Sequence, residues 1–338
     1  MGSPVVLITL PLEEHLLETL KAVAPQAEFI VQPAQDASEI SPAVWERVEV
    51  LYTNTVLPRP EDVPNLKWIQ FHWAGIDHVV NHPLIQQGKV VVTTLSGAAV
   101  PQMGEYVLMM LLALGHRLPA LMDHQRRKEW PEDRWRRFMP QELNDSTVGI
   151  VGYGSLGREV ARLLVAFGAT VLATKRDVMH PEDHGYTPEG RGDPEAQYVR
   201  RLYPAQALRT MVRECDFVVV TVPLTPQTRG LIDATVFAAM KPGAYLVDVS
   251  RGGVVDHEAL LDALQSGHLA GAALDVFPLE PLPPESPLWE MPNVILTPHI
   301  AGATRHYDER AVAVFAANLA RYLEGKSLFN QFHPERGY

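Results

Sequence analysis

Gly152-Tyr153-Gly154-Ser155-Leu156-Gly157 carries the spacing G-x-G-x-x-G. It follows Thr147-Val148-Gly149-Ile150-Val151, which reads as a strand, and it opens a segment with helical spacing. In that setting each glycine has a physical role. Gly152 permits a tight turn, Gly154 lets the backbone approach a pyrophosphate, and Gly157 lets the helix pack close to the strand. The helix N-terminus adds unpaired N–H groups and a dipole that favours phosphate. The plain alternative is a glycine-rich turn that binds nothing.

The next strand-like segment, residues 170–174, runs into Lys175-Arg176-Asp177. An acid at that strand end would bind the ribose 2′-hydroxyl of NAD, whereas a basic pair suits a 2′-phosphate. Lys175 and Arg176 therefore put NADP ahead of NAD. Asp177 keeps NAD open, and solvated loop charges are the bland reading of the pair.

Two series of elements must position these groups. Residues 5–10, 27–31, 48–54, 68–71 and 90–94 read as short strands, with a leucine-spaced helix over 12–24. A long helix is expected over about 101–118, with a charged continuation through Arg126, Arg127 and Lys128. Residues 134–140 look irregular. The second series has strands at 147–152, 170–174, 216–222, 244–249, 271–275 and 294–297, and helices at 156–167, 205–213 and 309–323. Residues 180–194, rich in Pro, Gly, Asp and Glu, read as an exposed loop. Strands alternating with helices favour parallel sheets. The expected fold class is α/β, with two doubly wound parallel-sheet domains.

Composition narrows the function. The 338 residues are 46% apolar and 20% charged, as in a globular protein with a sizeable core. A net charge of -11 disfavours a nucleic-acid partner. The start of the chain has no basic region before its apolar segment, and the longest apolar run, 106–114, is too short to span a bilayer. No membrane partner and no metal are expected. The single cysteine, Cys215, cannot form an internal disulfide, which fits a cytoplasmic location, and it reads as a quiet core thiol.

Several ordered segments resemble the D-isomer-specific 2-hydroxyacid dehydrogenase family. They are Trp73-Ala74-Gly75-Ile76-Asp77, the Gly152 turn, residues 222–230 (Val-Pro-Leu-Thr-Pro-Gln-Thr-Arg-Gly), residues 247–253 (Val-Asp-Val-Ser-Arg-Gly-Gly), Ala273-Leu274-Asp275-Val276-Phe277 with Glu280-Pro281, and residues 297–302 (Thr-Pro-His-Ile-Ala-Gly). The resemblance implies that Arg251, Glu280 and His299 are catalytic. Their chemistry agrees. Reducing a 2-oxo acid needs a cation for the carboxylate, a proton for the carbonyl oxygen and a hydride. Arg251 offers a planar, permanent charge. His299 changes charge near neutral pH, and Glu280 would favour its protonated form.

The same resemblance implies further roles. Ser155 and Leu156 join the pyrophosphate site; Val222, Pro223, Thr228, Val249, Ser250 and Gly302 line the cofactor; Asp275 binds the nicotinamide carboxamide. The backbone N–H groups of Ala74 and Gly75 hold the substrate carboxylate together with Arg251. Trp73 and Met103 line the substrate pocket, and Trp135 projects towards a partner subunit's site. A Rossmann-type cofactor domain is implied at 101–303, and a smaller flavodoxin-like substrate domain at 1–100 plus 304–338. The helix near 101–118 would serve a homodimer, since residues 107–112 are apolar all round.

The implied reaction is hydride transfer between NAD(P)H and a small 2-oxo or 2-hydroxy acid, with glyoxylate or hydroxypyruvate preferred. A formate dehydrogenase has an amide where this chain has Glu280. A phosphite dehydrogenase, and a dinucleotide-sensing protein of the corepressor type, keep all three residue types and stay as alternatives. The chain ends soon after its last helix, which speaks against a large allosteric phosphoglycerate dehydrogenase.

Overall fold

The computed structural model describes residues 3–337. By contacts the chain divides into two compact units: residues 3–99, 184–186 and 304–337 form one, and residues 100–183 and 187–303 the other.

The first unit holds a five-stranded parallel sheet. Its strands are β1 (Val5–Ile8), β2 (Glu28–Val31), β3 (Val50–Thr53), β4 (Trp68–Phe71) and β5 (Val91–Thr93), in the order β2-β1-β3-β4-β5. That is the flavodoxin-like order. Alternate residues feed opposite faces. Leu7, Leu51, Ile69 and Phe71 enter one core. Val6, Ile8, Val50, Tyr52 and Trp68 enter the other, where Phe315 and Leu319 of the helix Tyr307–Leu323 close over them.

The second unit holds a seven-stranded parallel sheet. Its strands are β6 (Thr147–Val151), β7 (Thr170–Lys175), β8 (Arg201–Pro204), β9 (Phe217–Val220), β10 (Ala244–Asp248), β11 (Leu269–Leu274) and β12 (Val294–Leu296). The order is β12-β11-β10-β9-β6-β7-β8, so the winding reverses between β6 and β9. Ligands of open α/β sheets bind at the carboxyl ends of the strands beside such a reversal. The strands read as continuous apolar runs because both faces are covered. Val148, Ile150, Phe217, Val219 and Val247 face one core with the helix Val100–Gly115; Val218, Val220, Leu246 and Leu274 face the other.

The structure differs from the sequence expectations at several points. The helix expected over 101–118 ends at Gly115, and a separate helix, Leu118–Arg127, leaves at 62°. Pro119 lacks an N–H, and its ring would strike the carbonyl four residues back, at Gly115. Residues 134–140 are not wholly irregular, since Arg134–Arg137 makes one helical turn. β8 was missed because Arg-Leu-Tyr-Pro is an edge strand with a terminal proline. The 180–194 segment lacks regular structure, but it is not simply exposed: Asp193 is 3% exposed and Gly192 is buried. The helices Ala234–Ala239 and His257–Gln265 were not anticipated either, although Asp233 and Asp256 cap them in the usual way. No single helix among the described residues is long and apolar enough to cross a membrane.

Cys215 is fully buried, with its thiol directed to the Met211 carbonyl at 3.2 Å. Burial pushes the thiol up to about 12, far from a reactive thiolate.

Candidate active site

The Gly152 turn connects β6 to the helix Ser155–Ala166. Its glycines divide the work as their spacing implies. Gly152 has φ of +109°, and a Cβ there would lie 2.8 Å from Val222 Cγ1. A Cβ on Gly157 would collide with the Gly152 carbonyl oxygen. A Cβ on Gly154 would meet no protein atom within 4 Å. Gly152 and Gly157 are thus required by the fold. Gly154 is not, and the open space beside it suits a dinucleotide pyrophosphate. Ser155 and Leu156 form the first helical turn, where N–H groups lack intrahelical acceptors.

At the end of β7, Lys175 Nζ donates to the carbonyls of His180 (2.5 Å) and Glu182 (2.9 Å). Burial lowers its pKa, and the Arg158 charge adds to this. Lys175 is therefore engaged in holding the following loop. Asp177 accepts from Met179 N–H at 3.0 Å and pairs with His180 Nδ1 at 2.7 Å, so it is occupied locally. Arg176, the next residue, is exposed.

Arg251 follows β10 in a turn fixed by Asp248, whose Oδ1 accepts from the Ser250 N–H and hydroxyl. Gly252 is required here, because a Cβ would collide with the Phe277 carbonyl. Glu280 accepts from Phe277 N–H through Oε1 (2.9 Å) and pairs with His299 Nδ1 through Oε2 (2.8 Å). The Glu280–Pro281 bond is cis. Partial burial opposes ionisation of Glu280, but the His299 hydrogen bond, the Phe277 N–H and the nearby Arg251 charge outweigh it and hold the carboxyl below its ordinary range.

His299 sits at φ +53°, a left-handed conformation that is uncommon for a side chain of this size. Asp275 holds the loop in place. Its oxygens accept from the Thr297 hydroxyl (2.6 Å), Ile300 N–H (2.9 Å) and Ala301 N–H (2.9 Å). Tyr106 shares the Thr297 hydroxyl, and Gln102 Nε2 donates to the Gly302 carbonyl at 2.8 Å. Arg251, Glu280 and His299 thus stand on neighbouring strand ends, β10, β11 and β12, with Glu280 and His299 in contact.

The family model for the D-isomer specific 2-hydroxyacid dehydrogenase NAD binding domain matches residues 108–301. The chain belongs to the D-isomer specific 2-hydroxyacid dehydrogenase family. A solved 2-hydroxyacid dehydrogenase of this family from Xanthobacter autotrophicus Py2, in complex with NADPH and MES, is 32% identical with a TM-score of 0.80, and each chain is covered completely. An NADPH-dependent glyoxylate/hydroxypyruvate reductase from Sinorhizobium meliloti, in complex with NADP and sulfate, is 30% identical with a TM-score of 0.76, again over both whole chains. D-3-phosphoglycerate dehydrogenase from Mycobacterium bovis is 32% identical over 96% of this chain. The chain spans 58% of the length of that relative.

Other residues expected from the 2-hydroxyacid dehydrogenase resemblance are placed as follows. Val222 and Pro223 follow β9, beside the Gly152 turn. The Thr228 hydroxyl donates to the Pro223 carbonyl at 2.6 Å and accepts from Thr225 N–H, so it shapes that loop. Val249 and Ser250 are buried. Met103 packs on the second unit's core, and Trp135 is exposed, with Arg134 over its ring. Trp73, Ala74 and Gly75 follow β4 in the first unit, where the Trp73 ring lies against Tyr307. The sequence reading missed Tyr106, Asp248 and Arg158. Asp248 lies inside the quoted 247–253 motif. Nothing in the local sequence marks Tyr106 or Arg158.

Proposed function

We propose that this chain is an NADPH-preferring reductase of small 2-oxo acids, glyoxylate and hydroxypyruvate foremost, yielding the D-2-hydroxy acid. The His299–Glu280 pair, on the strand end beside Arg251 and in the same unit as the Gly152 turn, carries the reading. A bound reduced nicotinamide supplies the hydride. Arg251 holds the substrate carboxylate through charge-assisted hydrogen bonds. Glu280 pairs with Nδ1 of His299 and orients the ring. Nε2 is then the nitrogen that gives its proton to the carbonyl oxygen as C2 accepts the hydride. In the oxidative direction Nε2 takes the proton back. Asp275 keeps the His299 loop in its left-handed turn, so the imidazole is oriented before substrate arrives. The Ala74 and Gly75 N–H groups are assigned to the substrate carboxylate on the resemblance.

Arg176 supports NADP over NAD. The NADPH and NADP complexes of the Xanthobacter and Sinorhizobium proteins point the same way. We extend the reading to a cytoplasmic homodimer. Its support is the lone cysteine and the exposed apolar side chains Met109, Leu118, Leu121 and Met122 along the two bent helices.

The test is oxidation of NADPH and NADH with glyoxylate, hydroxypyruvate, pyruvate and bulkier 2-oxo acids. Turnover with a strong preference for NADPH and the smaller acids is expected. Tight dinucleotide binding with no turnover on any of them would overturn the reductase reading in favour of a sensing protein.

A further inference from the structure

Asp248 ends β10 and has no exposed surface. Its two oxygens are treated very differently. Oδ1 accepts from Ser250 N–H at 3.0 Å and from the Ser250 hydroxyl at 2.5 Å. Oδ2 is buried and has no hydrogen-bond partner among the described residues. A buried carboxylate with an unsolvated oxygen and no cation beside it is costly, and the usual relief is to keep the proton.

The surroundings say which acid keeps it. On the β9 side Asp248 is level with Val220, which is apolar. On the β11 side it is level with Leu274, and the next residue is Asp275, whose N–H donates to the Asp248 carbonyl at 3.0 Å. From the helix Val100–Gly115, Tyr106 reaches only Thr297, which in turn binds Asp275. Arg251 lies beyond Ser250 on Asp248's own turn and directs one guanidinium N–H to the Ser250 carbonyl. The facing charge is therefore Asp275. Asp275 has donors of its own from Thr297, Ile300 and Ala301. Asp248 has donors from Ser250 alone, and only on Oδ1. Burial, reinforced by the Asp275 charge, raises its pKa from 3.8 to about 7 against the pull of Ser250.

We infer that Asp248 is a positioning residue for Arg251 that works as a neutral acid, and that losing its proton loosens the Ser250–Arg251 turn and weakens the grip on a substrate carboxylate. The part about substrate rests on the function proposed above. The part about the neutral acid does not. Ionised Asp248 faces Asp275 with an oxygen that no N–H can reach, and its Oδ1 bonds to Ser250 are what tie that strain to the turn.

The sign of the stability effect follows from the raised pKa. The folded state holds this proton more tightly than the unfolded chain does. Stability from Asp248 is therefore full below about 3.8, falls as pH rises towards 7, and stays lost above it.

Asp248→Asn keeps the Oδ1 acceptor and cannot ionise. Thermal unfolding of parent and variant, compared from about pH 4 to pH 9 with no substrate, tests the protonation state. The variant should gain on the parent as pH rises to about 7, with a constant gap above. Asp248→Leu, which removes the acceptor for Ser250, should lose stability at every pH. A gap between parent and Asn variant that does not change with pH, or an Asn variant less stable than the parent at pH 8, would overturn the neutral acid.

The second readout separates KM from kcat. Above neutrality the parent's KM for glyoxylate should rise, by up to about tenfold per pH unit, while the Asn variant's stays flat. A change in kcat with pH that does not come from Asp248 would be common to both proteins. Equal KM profiles would overturn the positioning role even if the unfolding result holds. Absence of turnover in both proteins would count against the function assigned to Arg251 and would leave the unfolding comparison intact.

Discussion

The two ends of the seven-stranded sheet organise their loops differently, one with a buried cation among carboxylates and the other with carboxyl groups alone. Beside β6 and β7 the carboxylates of Glu159 and Asp193 are buried, and so is Arg158, 2% exposed. Its guanidinium donates to the carbonyls of Asp193 and Pro181, pairs with Asp183 at 3.4 Å, and lies 4.7 Å from the centre of the Tyr153 ring. Beside β10 to β12 the buried groups are Asp248 and Asp275. A guanidinium only donates and a carboxylate only accepts. Arg158 therefore gathers carbonyls and draws the long 180–194 loop onto the glycine turn. Asp275 gathers N–H groups and fixes the tight turn that presents His299. The β6–β7 side is built from loop docking, the β10–β12 side from turn geometry.

The contrast can be broken most forcefully at His299. His299→Ala should lower kcat by about 10²–10⁴-fold while NADPH affinity, followed by fluorescence titration, stays at the parent value. An equal loss of NADPH affinity would mean that the two ends are not separable.

Arg158→Met should come next. It leaves Asp183 and the gathered carbonyls without their donor and should destabilise the protein by about 3 kcal/mol in denaturant unfolding. A cost near zero would show that the loop docks without the buried cation.

The glycines sharpen the comparison within the β6–β7 side. Gly157→Ala should cost about 2 kcal/mol, because its Cβ would strike the Gly152 carbonyl oxygen. Gly154→Ala should leave the unfolding temperature alone and weaken NADPH binding. If both variants lose stability equally, Gly154 is structural rather than reserved for pyrophosphate.

Arg176→Ala should raise the KM for NADPH about tenfold and leave NADH unaffected, the loss of one charged hydrogen bond. Lys175→Ala should do less to cofactor choice, since its Nζ is already held by the His180 and Glu182 carbonyls.

The smallest effect concerns acid stability. Glu280 has a carboxyl pKa below its ordinary 4.5. Its contribution is complete above 4.5 and is lost as pH falls through the lowered value. Glu280→Gln should flatten that part of the unfolding profile.

Much of this was legible in the sequence for a physical reason. Parallel strands buried on both faces are apolar runs, and β4 and β6 announce themselves that way. The glycine turn is legible because its constraint is steric and local: a Cβ at Gly152 or Gly157 would collide with its neighbours. Other features depend on distant partners. Residues 180–194 look like a solvated loop until Arg158, in the helix after the glycine turn, is seen to collect their carbonyls. Asp248 looks like any strand-end acid, because its missing partner is a property of packing. Lys175 looks free to bind a phosphate, yet a loop five residues further on occupies it.

The most direct test follows the hydride itself. NADPH carrying deuterium at the transferable C4 position would be incubated with hydroxypyruvate, and the product examined for deuterium at C2 and for its configuration. One deuterium at C2 of the D-2-hydroxy acid is the expected result. Bound NADPH with no labelled product would contradict the assignment of this site to 2-oxo acid reduction.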